Sequence, residues 1–198
     1  YKRQPKNCRS IDSWIQDGCD DPDLKSVIEY VLGRGMEWSW YPWHWSSSPG
    51  YRDRVIIPFY QDGRLVGWTG RKIVDGKPKY LTESQSGYVF NLDAQIREQR
   101  KFVIVVEGQF DAIAVDGCAI MTNEPNEAQI MRLKALGREV IIVPDRDYAG
   151  SKIIQYAIDN EWSASLPLWG DDAKDVAEAV KRYGRLYVLR TILHYKVR

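Results

Sequence analysis

The centre of the chain carries the sequence Phe102-Val-Ile-Val-Val106-Glu107-Gly108-Gln-Phe-Asp111. A continuous run of about five apolar residues, rich in Val and Ile, is typical of a strand buried on both faces of a parallel sheet. Gly108 allows a sharp turn after Glu107, and helix-like sequence follows at once. We therefore predict a strand over 102–106, a turn, and a helix over 109–116.

A second stretch repeats this pattern, with Glu139-Val-Ile-Ile-Val143 leading into Pro144-Asp145-Arg146-Asp147. In open α/β sheets, ligands bind beyond the carboxyl ends of the strands, which is where we expect Glu107, Asp145 and Asp147. Three clustered carboxylates repel one another, and a divalent cation offsets that repulsion. The pattern favours a metal site. The alternative is that these acids are solvated loop residues or helix caps.

Strand and helix signals alternate from residue 102 onward, and such alternation predicts a parallel sheet with right-handed crossovers. The predicted strands cover 102–106, 118–121, 139–143 and 163–168. The predicted helices cover 109–116, 126–136, 149–159 and 173–183. We expect one domain over 101–183, followed by an amphipathic C-terminal helix within 184–198.

The first half of the chain has a different pattern. Asp21 followed by Pro22 is a helix-start signal, and it predicts a helix over 22–32. Asp-Gly turns alternate with apolar segments across 54–81, which predicts antiparallel hairpins. We expect residues 1–20 to be irregular and residues 1–100 to form one basic subdomain.

Half of the eight tryptophans fall within the sequence Glu37-Trp-Ser-Trp-Tyr-Pro-Trp-His-Trp45. Tryptophan side chains bury large areas, so this composition favours packing in the core. The alternative is a surface on which the bases of a single-stranded template stack.

The chain has 198 residues, of which 44% are hydrophobic, and a net charge of +1. This composition supports a sizeable core and excludes a strong overall field that attracts nucleic acid. A local excess of Lys and Arg between 52 and 79 nevertheless suits phosphate binding. Three cysteines without Cys-x-x-Cys spacing, and no apolar run of membrane-spanning length, favour an intracellular protein. Because the chain begins with Tyr1 rather than Met, we expect it to be part of a longer protein.

These motifs resemble those of a known family. Val106-Glu107-Gly108 with Asp111, and Asp145-x-Asp147 with Ala149-Gly150, are similar to the TOPRIM domain shared by primases, topoisomerases and some nucleases. The preceding half resembles the catalytic core of bacterial-type and phage DNA primases in the stretches Tyr30-Val-Leu-Gly-Arg34-Gly35, Arg54-Val-Ile-Ile-Pro-Phe59 and Pro78-Lys79-Tyr80-Leu81. The resemblance implies an α+β fold, in which a small subdomain with an antiparallel sheet precedes an α/β, Rossmann-like TOPRIM domain with a mainly parallel sheet.

The resemblance also implies roles for individual residues. The catalytic and metal-binding carboxylates would be Glu107, Asp145 and Asp147, with Asp111 and Asp175 as further metal ligands. The nucleotide and the primer end would be bound by Arg34, Arg54, Arg71, Lys79 and Tyr80. The chain has Thr82 where the family often has Asn. Its third acidic stretch, Gly170-Asp-Asp-Ala-Lys-Asp175-Val-Ala177, has Ala177 where the family has a second acid two residues after the position of Asp175. The first departure concerns a nucleotide contact of the family, and the second concerns its outer metal site.

The function that the resemblance implies is that of a primase polymerase core, which makes short RNA primers from NTPs on single-stranded DNA with Mg²⁺ or Mn²⁺ as cofactor. Its partners would be the template, the NTPs and the nascent RNA primer. Outside this chain it would have a replicative helicase and a zinc-binding template-recognition domain. The expected location is the cytoplasm of a bacterial or phage-infected cell, with no membrane partner. A TOPRIM-type nuclease and a non-catalytic nucleic-acid-binding module of a replication protein stay open as alternatives.

Overall fold

The computed structural model of the chain describes residues 4–97, 100–122, 124–146, 150–170 and 172–198. The chain divides into two compact units, Tyr1–Gln85 and Ser86–Arg198. This boundary lies before the expected one between 100 and 101, because Val89 and Leu92 belong to the core of the second unit. The C-terminal helix also belongs to the second unit and is not a separate segment.

The strands of the first unit are β1 (Cys8–Ser10), β2 (His44–Ser46), β3 (Arg54–Gln61), β4 (Arg64–Lys72) and β5 (Tyr80–Glu83). They form an antiparallel sheet in that order, which confirms the predicted hairpins. β3 and β4 are joined at Asp62 and Gly63, which both have positive φ, as a tight Asp-Gly turn requires. The apolar side chains of β3 are buried and form much of the core of this unit.

The helices of the first unit are α1 (Ile11–Gln16) and α2 (Pro22–Gly33). α2 begins as predicted, because the Asp21 side chain accepts a hydrogen bond from the Asp23 N–H at 2.9 Å and Pro22 occupies the first position. Its buried residues are Leu24, Val27 and Val31.

The prediction that residues 1–20 are irregular is wrong for the described part of that segment. β1 pairs with β2, and the Ser10 side chain caps α1 by accepting from the Ser13 N–H. Ile11 is fully buried, and Trp14 meets Trp45 edge to face with ring centroids 5.2 Å apart. A strand of three residues carries no readable periodicity, so its partner β2 is what defines it.

The tryptophan-rich segment is divided between the core and the surface. Trp43 and Trp45 are 2% and 0% exposed, which confirms core packing for these two residues. The Trp45 Nε1 donates a hydrogen bond to the Arg52 backbone oxygen at 2.8 Å, as a buried indole requires. Trp38 and Trp40 lie in a short 3-10 turn and stay partly exposed.

The strands of the second unit are β6 (Phe102–Val106), β7 (Cys118–Ala119), β8 (Glu139–Ile142), β9 (Ser163–Ser165) and β10 (Lys196–Val197). They form a sheet in the order β10-β9-β8-β6-β7. β7, β6, β8 and β9 are parallel as predicted, and β10 adds an antiparallel edge that was not predicted. Lys196 in β10 forms a salt bridge with Glu139 in β8, and this contact lowers the pKa of the Glu139 carboxyl.

The helices of the second unit are α3 (Leu92–Arg97), α4 (Gln109–Val115), α5 (Glu127–Lys134), α6 (Gly150–Asp159), α7 (Val176–Tyr183) and α8 (Arg185–His194). α4 is buried along its length and packs against α7 and α8. Asn126 and Gln129 exchange reciprocal hydrogen bonds at the start of α5, which is a capping box. In the described parts of the chain, none of the helices has the length and apolar character needed to span a bilayer.

The connection from β9 to α7 is longer than predicted. β9 ends at Ser165 rather than at residue 168, and α7 begins at Val176 rather than at residue 173. Pro167 has no amide to donate to a strand, and both Leu166 and Leu168 are exposed. The third acidic stretch of the sequence therefore follows a loop and leads directly into the start of α7.

Candidate active site

Glu107 and Asp145 meet at the carboxyl edge of the parallel sheet. β6 and β8 are neighbouring parallel strands, with Val105 opposite Ile142, so the residues that follow them emerge at the same edge. The Glu107 Oε1 accepts a hydrogen bond from the Asp145 backbone N–H at 3.2 Å. Both residues are partly exposed. The structure thus brings together two of the three carboxylates that were predicted as catalytic.

Asp147, the third predicted carboxylate, lies outside the described residues. Among the residues that are described, no group of three or more His, Cys, Asp or Glu side chains is arranged to hold a metal ion. Glu107 and Asp145 nevertheless offer the carboxylate oxygens that Mg²⁺ and Mn²⁺ prefer. Mg²⁺ commonly binds through one or two carboxylates and keeps several waters. The chemistry of this donor set therefore fits a divalent ion.

Asp111 lies behind this edge, in the first turn of α4. It is 7% exposed, and its Oδ1 accepts a hydrogen bond from the Ala177 N–H at 2.8 Å. A side chain at position 108 has no room beside it, because a Cβ on Gly108 would lie 2.6 Å from the Asp111 Oδ2. A buried amide without an acceptor costs stability, so this bond holds α4 against the start of α7.

Asp175 caps α7. Its side chain accepts a hydrogen bond from the Glu178 N–H at 2.8 Å, as N-cap residues do. Together with Asp111 it places two carboxylates on amides at the helix N-terminus, where the helix dipole favours negative charge. Asp111 and Asp175 therefore both contact the start of α7, and their role as metal ligands stays a prediction. Each uses a carboxylate oxygen to bind a backbone amide of α7.

The cap predicts different outcomes for Asp175→Ala and Asp175→Asn. Alanine removes the acceptor of the Glu178 N–H and should lower the free energy of unfolding by about 1 kcal/mol. Asparagine keeps an acceptor oxygen and is an equally good N-cap, so we expect wild-type stability. Urea unfolding followed by circular dichroism measures both effects. Weaker Mn²⁺ binding by a stable asparagine variant would identify Asp175 as a metal ligand in addition to its role as a cap.

The first unit carries a group of basic and aromatic side chains, called here the Arg71–Tyr80 cluster, which comprises Arg34, Arg71, Tyr30 and Tyr80. Arg71 in β4 lies opposite Tyr80 in β5, and its guanidinium carbon is 4.8 Å from the centroid of the Tyr80 ring. The Arg34 Nη1 donates to the Tyr30 hydroxyl at 3.4 Å. Burial raises the pKa of the Tyr80 hydroxyl, although the positive charges of Arg71 and Arg34 oppose that rise. The phenol is therefore protonated at neutral pH.

This cluster has the properties of an anion-binding surface. The Arg71 Nε is buried and has no hydrogen-bond acceptor among the described residues. Because a buried donor without an acceptor is costly, an anionic ligand that accepts from Arg71 would relieve that cost. Lys79 is exposed next to Tyr80 and adds a further positive charge.

Arg54, which was predicted to bind the nucleotide, is placed differently. It is 3% exposed, and its guanidinium donates to the backbone oxygens of Gly70 at 3.1 Å and Pro78 at 2.9 Å. A guanidinium enclosed by carbonyl groups is not available to a phosphate. Arg54 instead ties the segment that carries Lys79 and Tyr80 to β4, and so acts as a support for the Arg71–Tyr80 cluster.

The sequence pattern assigns no role to Arg146, the residue between Asp145 and Asp147. In the structure its guanidinium donates hydrogen bonds to the backbone oxygens of Pro167, Trp169 and Gly170. The available signal was a cation placed between two acids of a candidate metal motif, where its charge repels a metal ion. A cation at this position does not help to bind a metal ion, so its role must be a different one.

The second unit is a TOPRIM-type domain by its mainly parallel sheet and by the acids at the carboxyl edge, and solved structures have the same fold. The chain matches the RNA polymerase domain of Mycobacterium tuberculosis primase DnaG with a TM-score of 0.76 and 15% identity, covering 95% of this chain and 80% of that one. It matches a DnaG primase catalytic domain bound to ssDNA with a TM-score of 0.72 and 17% identity, covering 93% and 77%. The predicted fold class is confirmed.

The sequence itself is similar to those of DNA primases. The DNA primase of Aquifex aeolicus (strain VF5) is 30% identical over 171 residues, which are 72% of this chain and 33% of that protein. No family model matches the chain. The chain thus resembles the catalytic core of bacterial DNA primases and spans about a third of this relative's length.

Proposed function

We propose that the chain is the polymerase core of a DNA primase, which joins NTPs into short RNA primers on a single-stranded DNA template. The observation that carries this proposal is the hydrogen bond between Glu107 and the Asp145 N–H at the edge of a TOPRIM sheet. Nucleotidyl transfer needs a metal site and a phosphate-binding surface, and the chain offers candidates for both. The proposed ligands of Mg²⁺ or Mn²⁺ are Glu107, Asp145 and Asp147.

A bound divalent ion would lower the pKa of the attacking 3′-hydroxyl and stabilise the leaving pyrophosphate. The residues of the chain contribute position and charge. Glu107 and Asp145 hold their oxygens at one edge of the parallel sheet, and Asp111 fixes the turn at Gly108 against α7. Catalysis of this kind depends on positioning and electrostatic stabilisation rather than on a protein nucleophile.

The first unit would bind the phosphates. Arg71 presents a planar set of donors that suits two phosphate oxygens, and Lys79 contributes a point charge. The protonated Tyr80 hydroxyl donates a hydrogen bond, and Arg34 adds a second guanidinium to the same group. Arg54 supports this surface through its hydrogen bonds to the backbone oxygens of Gly70 and Pro78.

Lys79→Ala is expected to weaken NTP binding about tenfold, the scale of one lost charge-assisted hydrogen bond. The fold should be unaffected, because Lys79 is an exposed residue. Anisotropy of a fluorescent NTP analogue measures the affinity. Lys77→Ala is the matched control, since it removes the same charge from a neighbouring exposed position. An equal loss in both variants would reduce the effect of Lys79 to general electrostatics.

A gel assay tests the proposed function. The chain is incubated with single-stranded DNA, labelled NTPs and Mg²⁺ or Mn²⁺, with an Asp145→Ala/Asp147→Ala variant as the control and labelled DNA in a parallel reaction. New short RNA that disappears in the variant would support primer synthesis at this site. Shortened DNA without RNA would assign the carboxylates to a nuclease. Absence of both products and of metal-dependent NTP binding would leave a non-catalytic binding module.

The partners are proposals of the same rank. The partners proposed to bind this chain are the single-stranded template, the NTPs and the nascent primer. A replicative helicase and a zinc-binding template-recognition domain are proposed as partners outside it. The matched region covers 33% of the Aquifex aeolicus primase.

A further inference from the structure

Arg146 joins two loops of the second unit. Its guanidinium donates to backbone oxygens of the 167–170 loop, at 2.7 Å to Pro167, 2.6 Å to Trp169 and 3.2 Å to Gly170. Its backbone N–H donates to the Lys174 oxygen at 3.4 Å, further along the same connection. The guanidinium carbon also lies 5.6 Å from the centroid of the Trp169 ring.

These contacts differ from those of a solvated surface charge. Hydrogen bonds from an ionised donor are stronger than neutral ones, and the planar guanidinium directs several of them at fixed angles. Trp169 is 4% exposed, so the 167–170 loop is anchored in the interior of the unit. Arg146 is therefore attached to a fixed part of the structure, although it is itself an exposed residue.

The hydrogen bonds of Arg146 link Asp145 to the segment that supports Glu107, in addition to the direct hydrogen bond between Glu107 and the Asp145 N–H. Arg146 follows Asp145 in the chain, and the 167–170 loop leads to the start of α7. The first turn of α7 binds Asp111, which lies in the helix that begins after the Glu107 turn. Movement of the 167–170 loop would therefore disturb the support of both carboxylates.

Electrostatics alone predicts that Arg146 weakens metal binding. A guanidinium next to Asp145 repels a metal ion, so its removal should strengthen metal binding if its charge were the main effect. If Arg146 instead maintains the geometry of the site, its removal should weaken metal binding. The two explanations differ in sign, which makes them experimentally separable.

We propose that Arg146 is a positioning residue, which fastens the 167–170 loop to the Asp145 loop and thereby sets the spacing of the metal-binding carboxylates. The inference rests on the proposed metal site at Glu107 and Asp145. Residues that orient metal ligands typically change metal affinity by about 10–100-fold when they are substituted. Arg146→Ala is expected to lie near the lower end of that range, because Arg146 holds the ligands through a loop rather than by direct contact.

The experiment compares Arg146→Ala, Arg146→Lys and Arg182→Ala in the whole chain of 198 residues. Arg182 is the matched control, because it carries the same charge near the same connection but pairs with the Asp172 carboxylate and not with the 167–170 loop. Lysine keeps the charge of Arg146 and loses the planar set of donors. Electron paramagnetic resonance of free Mn²⁺ measures metal affinity. Hydrogen exchange of the Ala173 and Lys174 amides measures the order of the connection.

Both Arg146 variants are expected to bind Mn²⁺ about tenfold more weakly and to exchange these amides faster, with native circular dichroism. Arg182→Ala is expected to bind Mn²⁺ as tightly as the wild type. Unchanged or tighter Mn²⁺ binding by Arg146→Ala overturns the proposal, as does an equal loss in Arg182→Ala. If Arg146→Ala does not fold, wild-type affinity in Arg146→Lys overturns it. Absence of Mn²⁺ binding by the wild type overturns the metal site as well, whereas normal binding by every protein overturns only the role of Arg146.

Discussion

Asp145→Asn is expected to reduce nucleotide incorporation by about 100-fold or more, the scale for loss of one electrostatic contributor to a transition state. The amide has nearly the shape of the carboxylate but lacks the charge that binds a divalent ion. The hydrogen bond to Glu107 should survive, because it uses the backbone N–H of residue 145 and not its side chain. Primer synthesis at a series of Mn²⁺ concentrations measures the loss.

The stability of the same variant provides a second test. Removing one of two neighbouring negative charges relieves their repulsion, so the metal-free unfolding midpoint should equal or exceed that of the wild type. Asp159→Asn is the matched control, since Asp159 is an exposed carboxylate of the same unit at the end of α6. A lower midpoint without metal, or full activity in Asp145→Asn, would contradict the proposed site.

Gly108→Ala is expected to abolish primer synthesis and to lower the free energy of unfolding by about 1–3 kcal/mol, the usual cost of overpacking. The added Cβ would lie 2.6 Å from the Asp111 Oδ2, which is well inside contact distance. Asp111 cannot withdraw without giving up the Ala177 N–H. The turn that carries Glu107 must then shift, and a displacement of about 1 Å in a catalytic group costs roughly 100-fold in rate. Urea unfolding and the gel assay measure the two effects.

Gly33→Ala is the control for this substitution. Gly33 is the last residue of α2, and a Cβ there would meet nothing within 4 Å. Alanine is favoured over glycine in a helix by about 0.5–1 kcal/mol, so this variant should be fully active and at least as stable as the wild type. A Gly108→Ala protein that behaves like Gly33→Ala would show that the close approach to Asp111 carries no energetic weight.

Much of the fold could be predicted because its signals are local. β6 has the predicted bounds, and α2 starts at the predicted Pro22, since an apolar run and a helix cap are both written in adjacent residues. The edge at which Glu107 and Asp145 meet follows from the geometry of parallel strands. The short strands β1 and β10 carry no such signal, because two or three residues show no periodicity and only their partners define them.

The supporting contacts of the site could not be predicted, since they join residues that are distant in the sequence. Asp111 accepts a hydrogen bond from the Ala177 N–H, and Arg54 donates one to the Pro78 backbone oxygen. The family resemblance implied Asp175 as a metal ligand, whereas its role as a cap depends on where α7 begins. The pairing of Arg71 with Tyr80 depends in the same way on the register between β4 and β5.

The capped start of α7 has a consequence for how the chain can recognise anions. Helix N-termini often bind phosphate directly, because their exposed N–H groups and their dipole attract negative charge. Here the Ala177 and Glu178 amides are already bonded to Asp111 and Asp175, so the helix is neutralised by carboxylates of its own chain. These two main-chain donors are therefore not available to a phosphate. Under the proposed function, phosphate binding would then depend on cationic side chains, whose attraction for a polyanion is screened by the surrounding salt.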